Sequence, residues 1–246
     1  MSDLTTGATV GLSTLDGDPL LKYSADGKSA VLADGHSYSA DKWDINPSQL
    51  KVGANGEAII SGVDPKDQAI IKPSGASFDM VGGKVVSYKL PGSDSVDVAK
   101  MQATNPKAEA KYNATDGSLS INDGDKQSFV VYKDGSLDQT VKGANGAPDL
   151  QVHRDSHLNL LPTDAQAKEL GQLADAAIKD TAQQPKFAQE LMKRIQTRQD
   201  LSTFFEALNN GVLKQMGASV ALQTGDDKKL NIILTKDGKP IAIPFS

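Results

Sequence analysis

At 246 residues, 38% of them apolar and 23% charged, the chain can bury one large β-rich core or two modest ones, and its composition argues against wholesale disorder. A formal net charge of −5 argues against general nucleic-acid binding, which needs a cationic footprint to displace counterions. The absence of cysteine excludes disulfides, thiolate metal sites and thiol catalysis, and no apolar run reaches the roughly 18 residues of a membrane-spanning helix.

The charge is unevenly spread. Residues 1–150 carry 14 basic and 20 acidic side chains, whereas residues 151–246 carry 12 and 11. The first ten residues, Met1 to Val10, hold neither a basic stretch nor an apolar one, so they do not read as a secretory signal peptide. A Ser/Thr-rich start in a cysteine-free chain fits export to the medium or cell surface by a non-classical route. A cytoplasmic protein is the alternative.

Residues 1–150 are punctuated by turn-forming pairs: Asp16-Gly17, Asp26-Gly27, Asp34-Gly35, Asn55-Gly56, Asp116-Gly117, Asp123-Gly124, Asp134-Gly135 and Asn145-Gly146. Such pairs favour type I′ hairpin turns, whose twist matches that of the flanking strands. Short apolar runs lie between them, among them Ser29 to Leu32, Glu57 to Ile60, Ala69 to Ile71, Lys84 to Leu90 and Ser128 to Tyr132. This spacing predicts antiparallel strands in a sandwich-like or meander-like arrangement. A loose echo links Lys22 to Gly27 with Lys111 to Gly117, but its spacing is irregular, so it reads as shared turn chemistry and not as a repeat. Pro91 to Asn105 is small and polar and reads as a linker with a helical turn or two near Val96 to Ala103. The acidic turn Asn122 to Asp125 offers oxygen ligands but lacks an EF-hand order, so it reads as a solvated hairpin turn.

The stretch Val31 to Trp43 contains Gly35, Tyr38, Ala40 and Trp43. It resembles the Gly-x-x-Tyr-x-Ala-x-Trp stretch of small chitin-binding modules, with one extra residue before Trp43 and without their second adjacent Trp. The resemblance implies that Tyr38 and Trp43 stack on sugar rings and that a polysaccharide is a partner. The competing reading makes Trp43, the single tryptophan, a core residue.

His153 and His157 lie four apart, a spacing that presents two imidazoles to one metal if the segment is helical. Arg154 stands where a zinc-protease motif needs Glu, and the flanking residues read as extended chain, so surface histidines in a polar connector are the competing reading. Thr163-Asp164-Ala165-Gln166 then forms a capping box. Leu170, Leu173, Ala174, Ala177 and Ile178 give a helical stripe over about 164–181. A second helix, about 185–198, starts at Pro185 and carries Lys186, Lys193, Arg194 and Arg198 on its outer face. That basic face reads as solvated, with a nucleic-acid or anionic-membrane site as the alternative. Asp200 or Ser202 caps a third helix, with Phe204, Phe205 and Leu208 inward and Asn210-Gly211 ending or kinking it. Ala218 to Gln223, Leu230 to Thr235 and Pro240 to Phe245 read as three strands, the middle one central and the last an edge marked by its prolines.

The predicted class is α+β: a mainly antiparallel, sandwich- or meander-like half, then a small unit of three helices and three strands. The predicted division is 1–146, with a second boundary at 91–106 as an option, a connector at 147–162, and 163–246. No Gly-x-Ser-x-Gly, phosphate-binding loop or dinucleotide fingerprint is present. The reading is a non-enzymatic bacterial or phage protein, exported or on the surface, acting by protein–protein contact or self-assembly, with no cofactor. The alternatives are a carbohydrate-binding module or glycoside hydrolase built on the β-rich half, and a cytoplasmic partner or chaperone of a secretion system.

Overall fold

Among the described residues, the turn pairs at Asp26, Asn55, Asp116, Asp123 and Asp134 each join two strands that pair with each other. In the computed structural model, which describes residues 21–32, 36–46, 50–224 and 230–244, β1 (Leu21–Tyr23), β2 (Ser29–Leu32) and β3 (Ser37–Ser39) form one antiparallel meander. β4 (Lys51–Val52), β5 (Ala58–Ser61), β6 (Gln68–Ile71), β7 (Ser77–Val81), β8 (Lys84–Lys89) and β9 (Val96–Asp97) form a second, in chain order. β10 (Glu109–Asn113), β11 (Ser118–Asn122), β12 (Gln127–Val131) and β13 (Leu137–Val141) form a third. The pairs Asp16-Gly17 and Asp34-Gly35 lie outside the described residues.

The middle meander explains the apolar runs that do not alternate. Ala69, Ile70 and Ile71 of β6 are all buried. Successive strand residues face opposite ways, and here both sides are covered. Ala58, Ile60, Ala69 and Ile71 pack with Leu21, Ala30, Leu32 and Tyr38. Ile70, Phe78 and Met80 pack with Leu119, Ile121 and Val131. A strand buried on both faces has no polar side to show, so its sequence reads as a continuous apolar run. The expected linker at 91–105 contains α1 (Val98–Thr104), capped by the Asp97 carboxylate, and Val98 is part of that second core.

The turns correct one expectation. Type I′ needs positive φ at both central residues. In the Asp26, Asn55, Asp116, Asp123 and Asp134 pairs only the glycine is left-handed, for example Gly56 at 80° and Gly135 at 89°. Gly56, Gly75 and Gly135 each donate N–H to the carbonyl three residues back, and that residue donates to the carbonyl just past the glycine. This is a type I turn closed by a glycine bulge. The aspartates stabilise the turns from within: Asp26, Asp116 and Asp134 accept the N–H two residues on. Both residues are left-handed at Asn145-Gly146, within the 3-10 turn Ala144–Gly146, and at Gly82-Gly83 and Asp237-Gly238.

Contact density divides the chain in two. One unit runs to Gln151 and includes Ser156–Leu158; the other holds Val152–Asp155 and everything from Asn159. The second contains the short pairing of β14 (Leu150–Arg154) with β15 (Leu160–Leu161), then α2 (Asp164–Lys179), α3 (Gln184–Met192), α4 (Arg198–Asn210) and α5 (Val212–Gln215). Three strands follow, β16 (Ala218–Thr224), β17 (Leu230–Lys236) and β18 (Lys239–Pro244), with β17 in the middle. The fold is therefore α+β, as the patterning predicts. The Gly225-Asp226 turn lies outside the described residues.

Local chemistry sets the helix ends. Thr163 and Gln166 make the expected reciprocal capping box at α2. α4 starts earlier than expected. Thr197 is its cap, and Asp200 is the third helical residue reaching back to the Thr197 N–H, which completes a second capping box. The predicted second helix ends early, at Met192. Gly211 has φ −98° and ψ −114°, outside the helical region, and separates α4 from α5. Phe187, Leu191, Phe204 and Leu208 from the helices are buried, as are Val220, Ile232, Leu234 and Ile243 from the strands.

Candidate functional site

The expected sugar platform is not formed. β3 reads Ser37-Tyr38-Ser39, and alternation turns Tyr38 inward, where it is 1% exposed. Its hydroxyl donates to Asp79 at 3.0 Å, and its ring meets Trp43 edge-on with centroids 5.4 Å apart. Trp43 is half-buried against the same core. Tyr38 therefore has no open face on which a sugar ring can stack. Asp79 is the hub of this cluster: it also accepts from Ser87 Oγ at 2.8 Å and lies 3.4 Å from His36 Nε2. Asp79 and Ser87 are direct cross-strand partners, and the register shift beside them leaves Val86 as a bulged extra residue.

The two histidines do not make a helical metal pair. His153 lies on β14 opposite Leu161, and His157 lies in the turn that follows. Among the described residues no group of three or more His, Asp or Glu is placed to hold a metal ion. Arg154, next to His153, has a structural partner: it donates from both terminal guanidinium nitrogens to the Asp200 carboxylate, at 2.6 and 3.2 Å. Burial alone pushes the Asp200 carboxyl up, but Arg154 and the N–H groups of Gln196 and Thr197 overcome it and hold the group below its ordinary value. In the acidic turn at 122–125, Asp123 accepts the Gln127 N–H and Asp125 pairs with Lys107.

The basic face is broken up. Lys186 is exposed on α3, but α3 ends at Met192, so Lys193 and Arg194 lie past it, and Arg198 opens α4. Arg194 is 8% exposed and donates to Glu190 at 3.1 Å, while Lys193 lies 3.5 Å from the same carboxylate. Glu190 thus neutralises the middle of the cluster. Arg198 is exposed and makes no ion pair among the described residues.

Arg198 does border a groove of about 560 Å³ between α4 and β16. Leu201 and Phe205 of α4 and Val220 and Leu222 of β16 line it, with Ser202 and Glu206 on the rim. The position of α4 follows from its stripe, since Phe204, Phe205 and Leu208 are buried. Toward one end of the groove, the Asn209 amide donates to the Val220 carbonyl at 2.9 Å and accepts the Val220 N–H at 2.7 Å.

Asn209 acts as a one-residue stand-in for a neighbouring strand, so both polar groups of Val220 point away from β17. In an antiparallel pair that orientation repeats every second residue. Leu222, opposite Ile232, therefore turns its N–H and C=O to the same open side, and they meet no partner among the described residues. By the same alternation, the outward positions of β18 are Pro240, Ala242 and Pro244. Two of those three lack an N–H.

One signal in the sequence pointed here: a central strand at Leu230 and a proline-marked last strand leave Ala218–Gln223 as the other edge. Asn209 gave none, because its partner is a main chain eleven residues away. No family model, curated protein or solved structure matches the chain.

Proposed function

We propose that this protein acts by binding another protein and not by catalysis, with the C-terminal unit as its docking module. The observation that carries the reading is the half-open edge of β16, where Asn209 satisfies Val220 and Leu222 faces the groove with both main-chain groups unpaired among the described residues. An apolar floor beside unpaired main-chain donors and acceptors is the chemistry that recognises a polypeptide. The cysteine-free composition supports an exported or surface-located protein of a bacterium or phage. On this reading the acidic β-rich unit is the displayed part.

A photocrosslinking amino acid at Ser202, on the groove rim, tests the docking role in producing cells. The expected result is a discrete crosslinked product that the same group at Glu169, exposed on α2, does not give. Identical patterns from the two positions, or no product from either, would contradict the proposal. Recovery from culture medium without a cytoplasmic marker is the expected outcome for location; retention in the cytoplasm would remove the export part.

A further inference from the structure

We infer that the partner enters the groove as a β-strand laid along β16: an extended segment with an apolar side chain between polar ones and a carboxylate toward the Thr224 end. The inference rests on the docking reading above and adds the geometry and chemistry of the partner.

The main chain sets the mode. The sheet has two edges, and they differ. β18 presents Pro240, Ala242 and Pro244 outward, so it retains a single outward N–H and cannot carry a ladder. Along the groove β16 presents Val220 and Leu222 outward, and among the described residues only Val220 is occupied, by Asn209. A strand arriving at Leu222 continues the pattern that Asn209 begins. It gains one donor and one acceptor at a residue already held extended by β17.

The side chains set the partner's pattern. Val220 is 2% exposed while Ala221 is exposed, so the even-numbered residues of β16 face the helix. The incoming strand alternates in the same way, and every second side chain of it is directed to Leu201 and Phe205 on the groove wall. Its other side chains face solvent and are polar.

Charge sets the end. Asn209 meets Val220, and Arg198 lies about 16 Å back along the helix, so Arg198 borders the groove beyond Leu222. It is an exposed cation without an ion-pair partner among the described residues. Glu206 lies between Asn209 and Arg198 in the chain and repels an acid placed mid-groove. A carboxylate on the partner is therefore favoured beside Arg198.

The test pans a phage-displayed library of random octapeptides on the intact chain and synthesises the selected peptides. The expected peptides alternate apolar and polar residues and carry an acid at one end. Binding is expected to slow amide exchange at Leu222. Methylating the peptide nitrogen opposite Leu222 should weaken binding about tenfold, the loss expected for one main-chain bond, and Arg198→Glu should remove the preference for an acid. Selected peptides that shift Phe205 but tolerate methylation at every nitrogen would overturn strand addition while leaving groove docking intact. Selection of no peptide would overturn the inference. So would a dimer of the intact chain that Leu222→Pro dissociates, since it would assign the edge to a second copy.

Discussion

Asn209 holds Val220 by both of its main-chain polar groups, at 2.9 and 2.7 Å, and so supplies with a side chain what a fourth strand would supply at that residue. The contact ties the end of α4 to the outer side of β16. Replacing Asn209 with Ala removes both bonds and leaves two strand groups without a protein partner. The expected cost is about 1–3 kcal/mol, read by urea denaturation, together with faster amide exchange at Val220. An Asn209→Ala chain as stable as the parent would show that the side chain does not seal this edge.

The Arg154–Asp200 pair joins residues 46 apart through two short contacts, and the Asp200 side chain is only 3% exposed. Its carboxyl is held below the ordinary value of 3.8. A depressed folded-state value means that the contribution is complete above that ordinary value and is lost as pH falls through the folded one. Asp200→Asn should cost about 2–3 kcal/mol near neutrality, because it leaves the Arg154 charge poorly matched. The difference between variant and parent should shrink below about pH 4. A difference that stays constant to pH 2 would contradict the assignment.

Lys72 makes a prediction of the opposite sign. It is 1% exposed at the turn after β6, and its Nζ donates to the carbonyls of Gly117 and Lys133, at 3.3 Å each. Burial pulls the amine below its ordinary value of 10.5, and the carboxylates of Glu57 and Asp134 offset part of that. The native chain therefore gives up this proton more readily than the unfolded chain, so Lys72 contributes more stability as pH rises toward 10.5. Lys72→Met leaves two carbonyls without their donor and should cost about 1–3 kcal/mol. Its deficit should widen from pH 7 to pH 10. A deficit that narrows over that range would show that the amine is not held in this way.

What the sequence made legible was local. Turn dipeptides marked the hairpins, and the stripe through Leu170, Ala174 and Ala177 marked α2. Thr163 with Gln166 marked its first turn, and the prolines at 240 and 244 marked the last strand as an edge. What it hid was relational. Ile70 and Ile71 face two different cores, and an apolar run does not say that both sides of a strand are covered. The burial of Lys72 left no local mark in the sequence, because the carbonyls that bury it arrive from positions 45 and 61 residues later. The resemblance to chitin-binding modules implied that Tyr38 and Trp43 are displayed, yet Asp79, which holds the Tyr38 hydroxyl, lies 41 residues away. Arg194 looked like part of a cationic face until the turn after α3 folded it onto Glu190. In the candidate site, the edge of β16 could be foreseen from strand order, whereas its partial closure by Asn209 could not.

Leu222→Pro tests the central claim most directly. It removes one outward N–H from β16 and leaves the bonds of Ala221 to β17 in place, since the Leu222 N–H points away from that strand. The variant is expected to fold with a thermal midpoint close to the parent's, yet to give no crosslinked product from Ser202 and to bind the selected peptides at least about tenfold more weakly. A folded Leu222→Pro chain that still crosslinks and binds like the parent would contradict that claim.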